Sequence, residues 1–349
     1  MPLIGRIENL VTTTKEEIYN FFIDDKQRLN YIYSLKRKWL SQETLNTSSV
    51  MAIDIEIDVN DDIHVVTIGS DHSVKYYNIS NNQIKKTVVL QKNVKGINLF
   101  YPKIHLRDSL IDIYFYQQLS DRKCQLVHLV LKEEVTKAEI VTESTFNKYI
   151  NPFKIFHYNN IVYVLYLDFV NDSEEIFCKS YSLEDNQMTF MLQLTNTGIR
   201  KLYLDGLIDG EDHLQLVWSN FTEDRLQISH CKYSLKDLRS EMDTKAKVTL
   251  LSEPLNASFP YLLLYNDTLK VIWYQYNNLA ASTSRDLGES WSNPFMISES
   301  KGKPFKRYKY RVLNPTNGFI GDVLYGSTYP QIQFLGLGGD NNDEVSTQS

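Results

Sequence analysis

The chain has 349 residues, a hydrophobic fraction of 42% and a formal net charge of −6 at pH 7. That apolar content supplies a substantial core and excludes a disordered chain. The acidic balance argues against nucleic acid, whose phosphates call for a basic face.

The chain opens on Met1-Pro2-Leu3-Ile4-Gly5-Arg6, which has no long apolar stretch, so no signal peptide is expected. No run approaches the roughly 18 apolar residues of a membrane helix, so no membrane span is expected either. Tyr (23) and Phe (16) are abundant while Gly (14) is modest, a bias that favours strands. Three segments then align without gaps as strand, polar turn, strand. They run from Pro102 to Tyr116, from Pro152 to Tyr166 and from Pro260 to Tyr274, and each spans 14 positions. Proline suits a strand entry, where its missing N–H costs least.

The second strand of each unit gives an anchor: Ile18, Ile63, Leu110, Ile161, Leu214, Leu269 and Phe319, with gaps of 45, 47, 51, 53, 55 and 50. A period of roughly 50 residues with several short strands per unit is the signature of a β-propeller blade. Third strands repeat in step: 28–34, 73–79, 124–129, 178–183 and 231–235. Polar turns such as Asn171-Asp172-Ser173 and Thr222-Glu223-Asp224 precede them. Seven anchors predict an all-β chain, one propeller of seven four-stranded blades over 1–335. Six blades with a stray hairpin is the alternative. Pro2–Gly5 is expected to supply the outer strand of the last blade and so close the ring, which removes a free sheet edge. Residues 336–349 are apolar-poor and read as a flexible polar tail or linker.

One stretch carries a resemblance. Ser284-Arg285-Asp286-Leu287-Gly288-Glu289-Ser290-Trp291 reads S-x-D-x-G-x-x-W. Asp286 is expected to accept backbone N–H bonds across a tight turn, Gly288 to take a positive φ, and Trp291 to fold back as an apolar plug. The pattern resembles the Asp box of the sialidase and BNR-repeat β-propellers. The resemblance implies a propeller, with the box on the turn between third and fourth strands, away from the catalytic face. Ser284, Asp286, Gly288 and Trp291 are then structural. It also implies what a sialidase would require: three arginines on the substrate carboxylate, a Tyr–Glu nucleophile pair and an acid/base Asp. Gly5-Arg6-Ile7-Glu8 is the nearest match to the first arginine motif and lacks its Phe and Pro. Arg200, Arg311, Tyr308 and Tyr310 are scattered near predicted first strands and form no constellation. No catalytic set is assigned.

Other chemistry is weakly signalled. The seven histidines are spread over the blades without H-E-x-x-H spacing, and no C-x-x-C occurs, so neither metal nor cofactor is expected. Asp58-Val59-Asn60-Asp61-Asp62 reads as a hairpin turn and Lys36-Arg37-Lys38 as a solvated one. Cys124, Cys178 and Cys231 recur on third strands and read as packing residues. Their odd count, without a signal peptide, points to reduced thiols and a cytoplasmic setting.

First strands line a propeller's channel, and the loops entering them form one face. Those entries carry Tyr101 and Lys103, Asn151 and Lys154, Arg200 and Lys201, and Phe259 and Tyr261. Aromatic and cationic residues recurring at such a rim suit a glycan or an anionic protein segment. The expected function is a non-enzymatic binding scaffold for a protein or glycan ligand. The alternative is a carbohydrate-active hydrolase of sialidase-like ancestry, since two suitably spaced carboxylates suffice for glycoside hydrolysis.

Overall fold

A computed structural model describes residues 3–35, 38–46, 48–91, 96–185, 187–240, 247–313, 315 and 318–338. Leu3–Thr12 (β1), Ile18–Ile23 (β2) and Leu29–Leu35 (β3) form a meander, and Lys38–Trp39 (β4) and Glu43–Asn46 (β5) both pair with β3. Regular four-stranded antiparallel meanders follow. Val50–Ile57, Ile63–Gly69, Val74–Ser80 and Gln83–Gln91 are β6 to β9. Leu99–Arg107, Leu110–Ser120, Lys123–Leu131 and Val135–Thr145 are β10 to β13. Lys154–Tyr158, Ile161–Val170, Ser173–Ser182 and Met188–Gln193 are β14 to β17. Arg200–Ile208, His213–Thr222 and Arg225–Ser234 are β18 to β20. A short helix, Leu235–Arg239 (α1), separates them from Thr249–Leu250 (β21). Ser258–Tyr265, Thr268–Gln275, Asn278–Ser284 and Phe295–Met296 are β22 to β25. Phe305–Val312 (β26) and Val323–Ser327 (β27) come last. Each meander is one repeat read from the sequence, and each is a blade.

The hairpins follow from turn chemistry. Asn159-Asn160, Asn171-Asp172 and Asn266-Asp267 each place two residues at positive φ between directly paired strand ends. Such two-residue turns match the right-handed strand twist, and Asn and Asp tolerate the left-handed backbone. Second strands are buried almost end to end: Val162 to Leu167 and Leu214 to Asn220 are all below 9% exposed. A strand covered on both faces reads as a continuous apolar run, which is how Val162-Tyr163-Val164-Leu165 appears. Trp218 and Trp273 are fully buried on second strands. Each satisfies its indole N–H two residues on, at Asn220 Oδ1 (2.7 Å) and Gln275 Oε1 (2.9 Å).

The chain folds as two compact units, for the most part Ile4–Ser144 with Lys306–Asn314, and Thr145–Phe305 with Pro315–Gln348. In the first unit, Phe21, Ile55, Val65 and Tyr77 join the β1 sheet to the β6 blade, and Val66, Leu99, Ile113 and Leu129 join that blade to the β10 blade. In the second unit, Tyr163, Leu165, Cys178, Trp218 and Cys231 share one cluster between the β14 and β18 blades. Leu207, Val217, Val271 and Trp273 do the same for the next pair. Cys124, Cys178 and Cys231 are free thiols, all buried.

Three readings are corrected. The N-terminal segment does pair with the last strands, through β26, but Leu3–Gly5 form no separate outer strand: Leu3–Thr12 is continuous, hydrogen-bonded to β2 on one side and β26 on the other. Nothing between Gly5 and Arg6 breaks an extended backbone; Pro2 lies outside the described residues. The anchor at Phe319 opens no strand. Ile320 instead bridges Leu264 of β22, and the next strand starts at Val323. The compact structure also runs past 335. Leu337 is 5% exposed, and the buried Lys270 donates to the carbonyls of Gly336 (3.4 Å), Leu337 (2.8 Å) and Gly338 (3.3 Å). The remaining tail residues, 339–349, lie outside the described set.

Candidate ligand-binding site

Three first strands enter their blades through a kink. Pairing with the second strand shifts between Phe100 and Lys103 in β10, between Leu202 and Asp205 in β18, and between Ser258 and Tyr261 in β22. At each shift an aromatic sits in the left-handed region: Tyr101 (φ 54°), Tyr203 (φ 58°) and Phe259 (φ 52°). A bulky side chain there costs on the order of 1–3 kcal/mol, and it persists only where its surroundings over-determine it. Bulges of this kind re-aim a side chain. In the second unit the Tyr203 and Phe259 rings lie 4.1 Å apart, and both are half-buried. Burial raises the Tyr101 phenol above its ordinary value.

The sequence-predicted rim residues divide by environment. Tyr101, Lys103, Asn151, Lys154, Arg200 and Phe259 are half-buried. Lys154 is engaged: its ammonium lies 2.5 Å from Asp205 Oδ1 and 3.1 Å from Asp322 Oδ2. Burial alone would lower its pKa, but the two carboxylates outweigh this and raise it. Arg200 lies over the Phe221 ring at 5.7 Å, with Nε 3.5 Å from Glu174 Oε2.

Lys201 and Tyr261, expected at the rim, are buried. Tyr261 is 7% exposed and packs on Tyr325 at 5.2 Å. Lys201 is 0% exposed, and its ammonium donates to Glu175 Oε2 (2.7 Å), Thr197 Oγ1 (2.7 Å), Ile199 O (2.9 Å) and Glu174 O (3.2 Å). A buried ammonium must be paired, and here the pairing fixes the loop into β18. Tyr203 was missed from sequence. Tyr101 and Phe259 are followed by proline, but Leu204 follows Tyr203, so only the bulge reveals the equivalence.

First strands also carry buried charge. Asp54 Oδ2 accepts from Ile104 N in the next first strand (2.9 Å), and Asp205 Oδ2 accepts from Leu262 N likewise (3.0 Å). Each aspartate takes a lysine, Lys309 and Lys154 respectively. Toward the exit ends of the first unit's strands, Glu56 pairs with Arg311. Arg107 Nε and Nη2 donate to Asp112 (2.9 and 3.1 Å). His128, 1% exposed, lies 2.8 Å from Asp112 Oδ1 and 3.0 Å from Glu139 Oε1, with Tyr114 stacked on it at 4.3 Å. Burial alone would raise the Asp112 carboxyl, but His128 and Arg107 hold it at about 2. Burial likewise works against His128, yet its two carboxylate partners raise its pKa.

Of the residues considered for sialidase chemistry, Arg311 is taken by Glu56 and Tyr308 is fully buried. The side chain of Arg6 lies outside the described set. Among the described residues, no group of three or more His, Cys, Asp or Glu is gathered for a metal ion. None of their helices is long and apolar enough to cross a membrane.

The 284–291 turn is built as a closed hydrogen-bond ring between β24 and β25. Asp286 Oδ1 accepts from Ser290 N (2.9 Å) and Ser284 Oγ (2.7 Å), and Ser284 Oγ accepts from Gly288 N (2.8 Å). These bonds hold the exposed Asp286 carboxyl at about 2. Gly288 has φ +89°, and a Cβ there would meet His230 Cε1 at 2.9 Å. Trp291 meets His230 edge-on at 4.7 Å.

No protein-family model matches the chain, and no curated protein does. Among solved structures, an ulvan lyase of polysaccharide lyase family PL25 aligns with a TM-score of 0.62 at 10% identity, over 96% of this chain and 93% of that one. The fold is a β-propeller. A neuraminidase-like protein of subtype N10, from A/little yellow-shouldered bat/Guatemala/060/2010, aligns at a TM-score of 0.49 and 11% identity, over 82% and 93% of the two chains. The six-bladed β-propeller lectin of the fungus Aleuria aurantia aligns at 0.44 and 10%, over 84% and 96%. At these identities the likeness concerns architecture alone.

Proposed function

We propose that this propeller is a non-enzymatic recognition scaffold that binds a glycan or a protein segment at the entry ends of its first strands. The observation that carries the reading is the recurrence of a strained aromatic at the same bulge in β10, β18 and β22. Proteins retain such backbone strain where a side chain must be aimed. Aromatic faces stack on sugar rings and on peptide side chains alike. In the first unit the contact residues are Tyr101 and Lys103; in the second they are Asn151, Lys154, Arg200 and Phe259, extended by Tyr203. The ulvan lyase that shares the fold acts on a polysaccharide; this is in keeping with a glycan and transfers no residue roles.

A glycan array and a peptide display, probed with the whole chain, test the reading. A hit whose signal falls when Tyr203 or Phe259 is replaced by alanine, with Tyr101→Ala read separately, supports it. A fluorogenic glycoside panel, sialosides included, should stay silent; turnover on any member would move the assignment to the hydrolase reading.

A further inference from the structure

Two buried polar atoms at the entry of β18 have no hydrogen-bond partner among the described residues: Glu174 Oε1 and Arg200 Nε. Glu174, near the start of β16, is 2% exposed. Arg200 Nε stands 3.5 Å from Glu174 Oε2, beyond the roughly 2.7–2.9 Å of a charge-assisted hydrogen bond. The guanidinium lies over the Phe221 ring, with the arginine side chain 29% exposed.

The surroundings of this pair are rigid. Glu175 Oε1 accepts from Thr197 N (3.0 Å) and Gly198 N (2.9 Å), so the loop into β18 is pinned. Lys201 and Glu175 neutralise each other, fully buried. Arg200 and Glu174 are therefore a donor and an acceptor with no net charge between them, and the Lys201 ammonium that also acts on Glu174 is balanced by Glu175. An anionic ligand meets the Glu174 carboxylate, and a cationic one meets Arg200. A hydroxyl suits both, because it accepts from Arg200 and donates to Glu174. The half-buried Phe221 ring, which the Arg200 guanidinium covers, is the apolar group beside those hydroxyls.

We propose that Arg200, Glu174 and Phe221 form a subsite for the hydroxyls of a neutral sugar ring. The proposal rests on the entry-face reading above and adds the ligand's chemical class. A hydroxyl bound between Arg200 and Glu174 satisfies two buried groups that otherwise go without a hydrogen bond.

The test is saturation-transfer NMR on the full chain with methyl glycosides of glucose, mannose, galactose and fucose, and with methyl glucuronide as the charged comparator. Wild type should bind at least one neutral glycoside, and methyl glucoside more tightly than methyl glucuronide. Glu174→Gln should weaken binding by roughly tenfold to a hundredfold, the effect of losing one hydrogen bond to a charged group. Arg200→Lys should weaken it comparably, and it decides the matter alone if Glu174→Gln fails to fold. The subsite is overturned if both variants bind as wild type does, if the glucuronide binds better, or if no neutral glycoside binds. A glycan hit lost in Phe259→Ala but indifferent to Glu174→Gln and Arg200→Lys removes this subsite and leaves the entry face standing. Silence toward every glycan and peptide removes both.

Discussion

Substituting Glu175 by glutamine should be among the most damaging single changes in the second unit. The carboxylate is 1% exposed and accepts from Lys201 (2.7 Å), Thr195 Oγ1 (2.6 Å), Ser173 Oγ (3.0 Å) and the amides of Thr197 and Gly198. Burial alone would raise its pKa, but Lys201 and Thr195 outweigh burial and lower it. Glutamine leaves Lys201 as a buried ammonium facing only neutral oxygens, and it turns an amide donor toward groups that already donate. Breaking a buried ion pair from one side costs about 3–5 kcal/mol. On the scale for domains of 150–250 residues that is a fall of roughly 6–20 °C in Tm. Lys201→Met should cost less, because the remaining carboxylate keeps four donors and can take up a proton. The double variant Glu175→Gln/Lys201→Met should recover part of the loss, since neither charge is then stranded. Thermal unfolding of the four proteins, followed by circular dichroism, gives the cycle. Single variants within about 1 kcal/mol of wild type, or a double variant equal to the sum of the singles, would refute the pairing.

Three further outcomes follow from the same kind of geometry. His128 has a raised pKa, so its stabilisation is present below the ordinary histidine value of about 6.5 and is lost as pH rises through its folded value. Asp112, Glu139 and the stacked Tyr114 face it. Between pH 5.5 and 9, wild type should therefore lose Tm relative to His128→Gln, and parallel curves would rule this out. Gly288→Ala should destabilise by about 2 kcal/mol or more, from a left-handed backbone and a Cβ crowding His230 and Gln215, measured as a denaturation midpoint. Lys270→Met should cost about 2–3 kcal/mol by stripping the donor from three carbonyls. It should also expose 334–338 to limited proteolysis, and an unchanged cleavage pattern would count against the clasp.

What was legible in the sequence is what local chemistry encodes. Asn159-Asn160 and Asn266-Asp267 announce their turns because few residue types tolerate two successive left-handed positions. Val162-Tyr163-Val164-Leu165 announces a strand covered on both faces. The anchor at Phe319 failed because an apolar residue after Gly318 looks like a strand start, whereas Ile320 is captured by Leu264 of another blade. Pro102 and Pro260 marked two strand entries that prove to be bulged, and Tyr203 without a proline left no trace. Long-range electrostatics was out of reach: Lys309 and Asp54 are 255 positions apart, and nothing local pairs them. The same holds for Lys201. Its position in an Ile-Arg-Lys entry suggested a displayed cation, but Glu175, from the preceding blade, draws it inside. Sequence periodicity located the entry ends. Which side chains they offer was decided by burial, which only the fold determines.

Hydrogen exchange with and without the strongest array or display hit tests most directly whether the first-strand entries are the ligand face. Protection should rise at 200–204 and 258–261 for a ligand of the second unit, or at 99–103 for one of the first, and stay flat along the fourth strands and the 284–291 turn. Protection confined to a fourth strand such as Met188–Gln193, or to that turn, would contradict it.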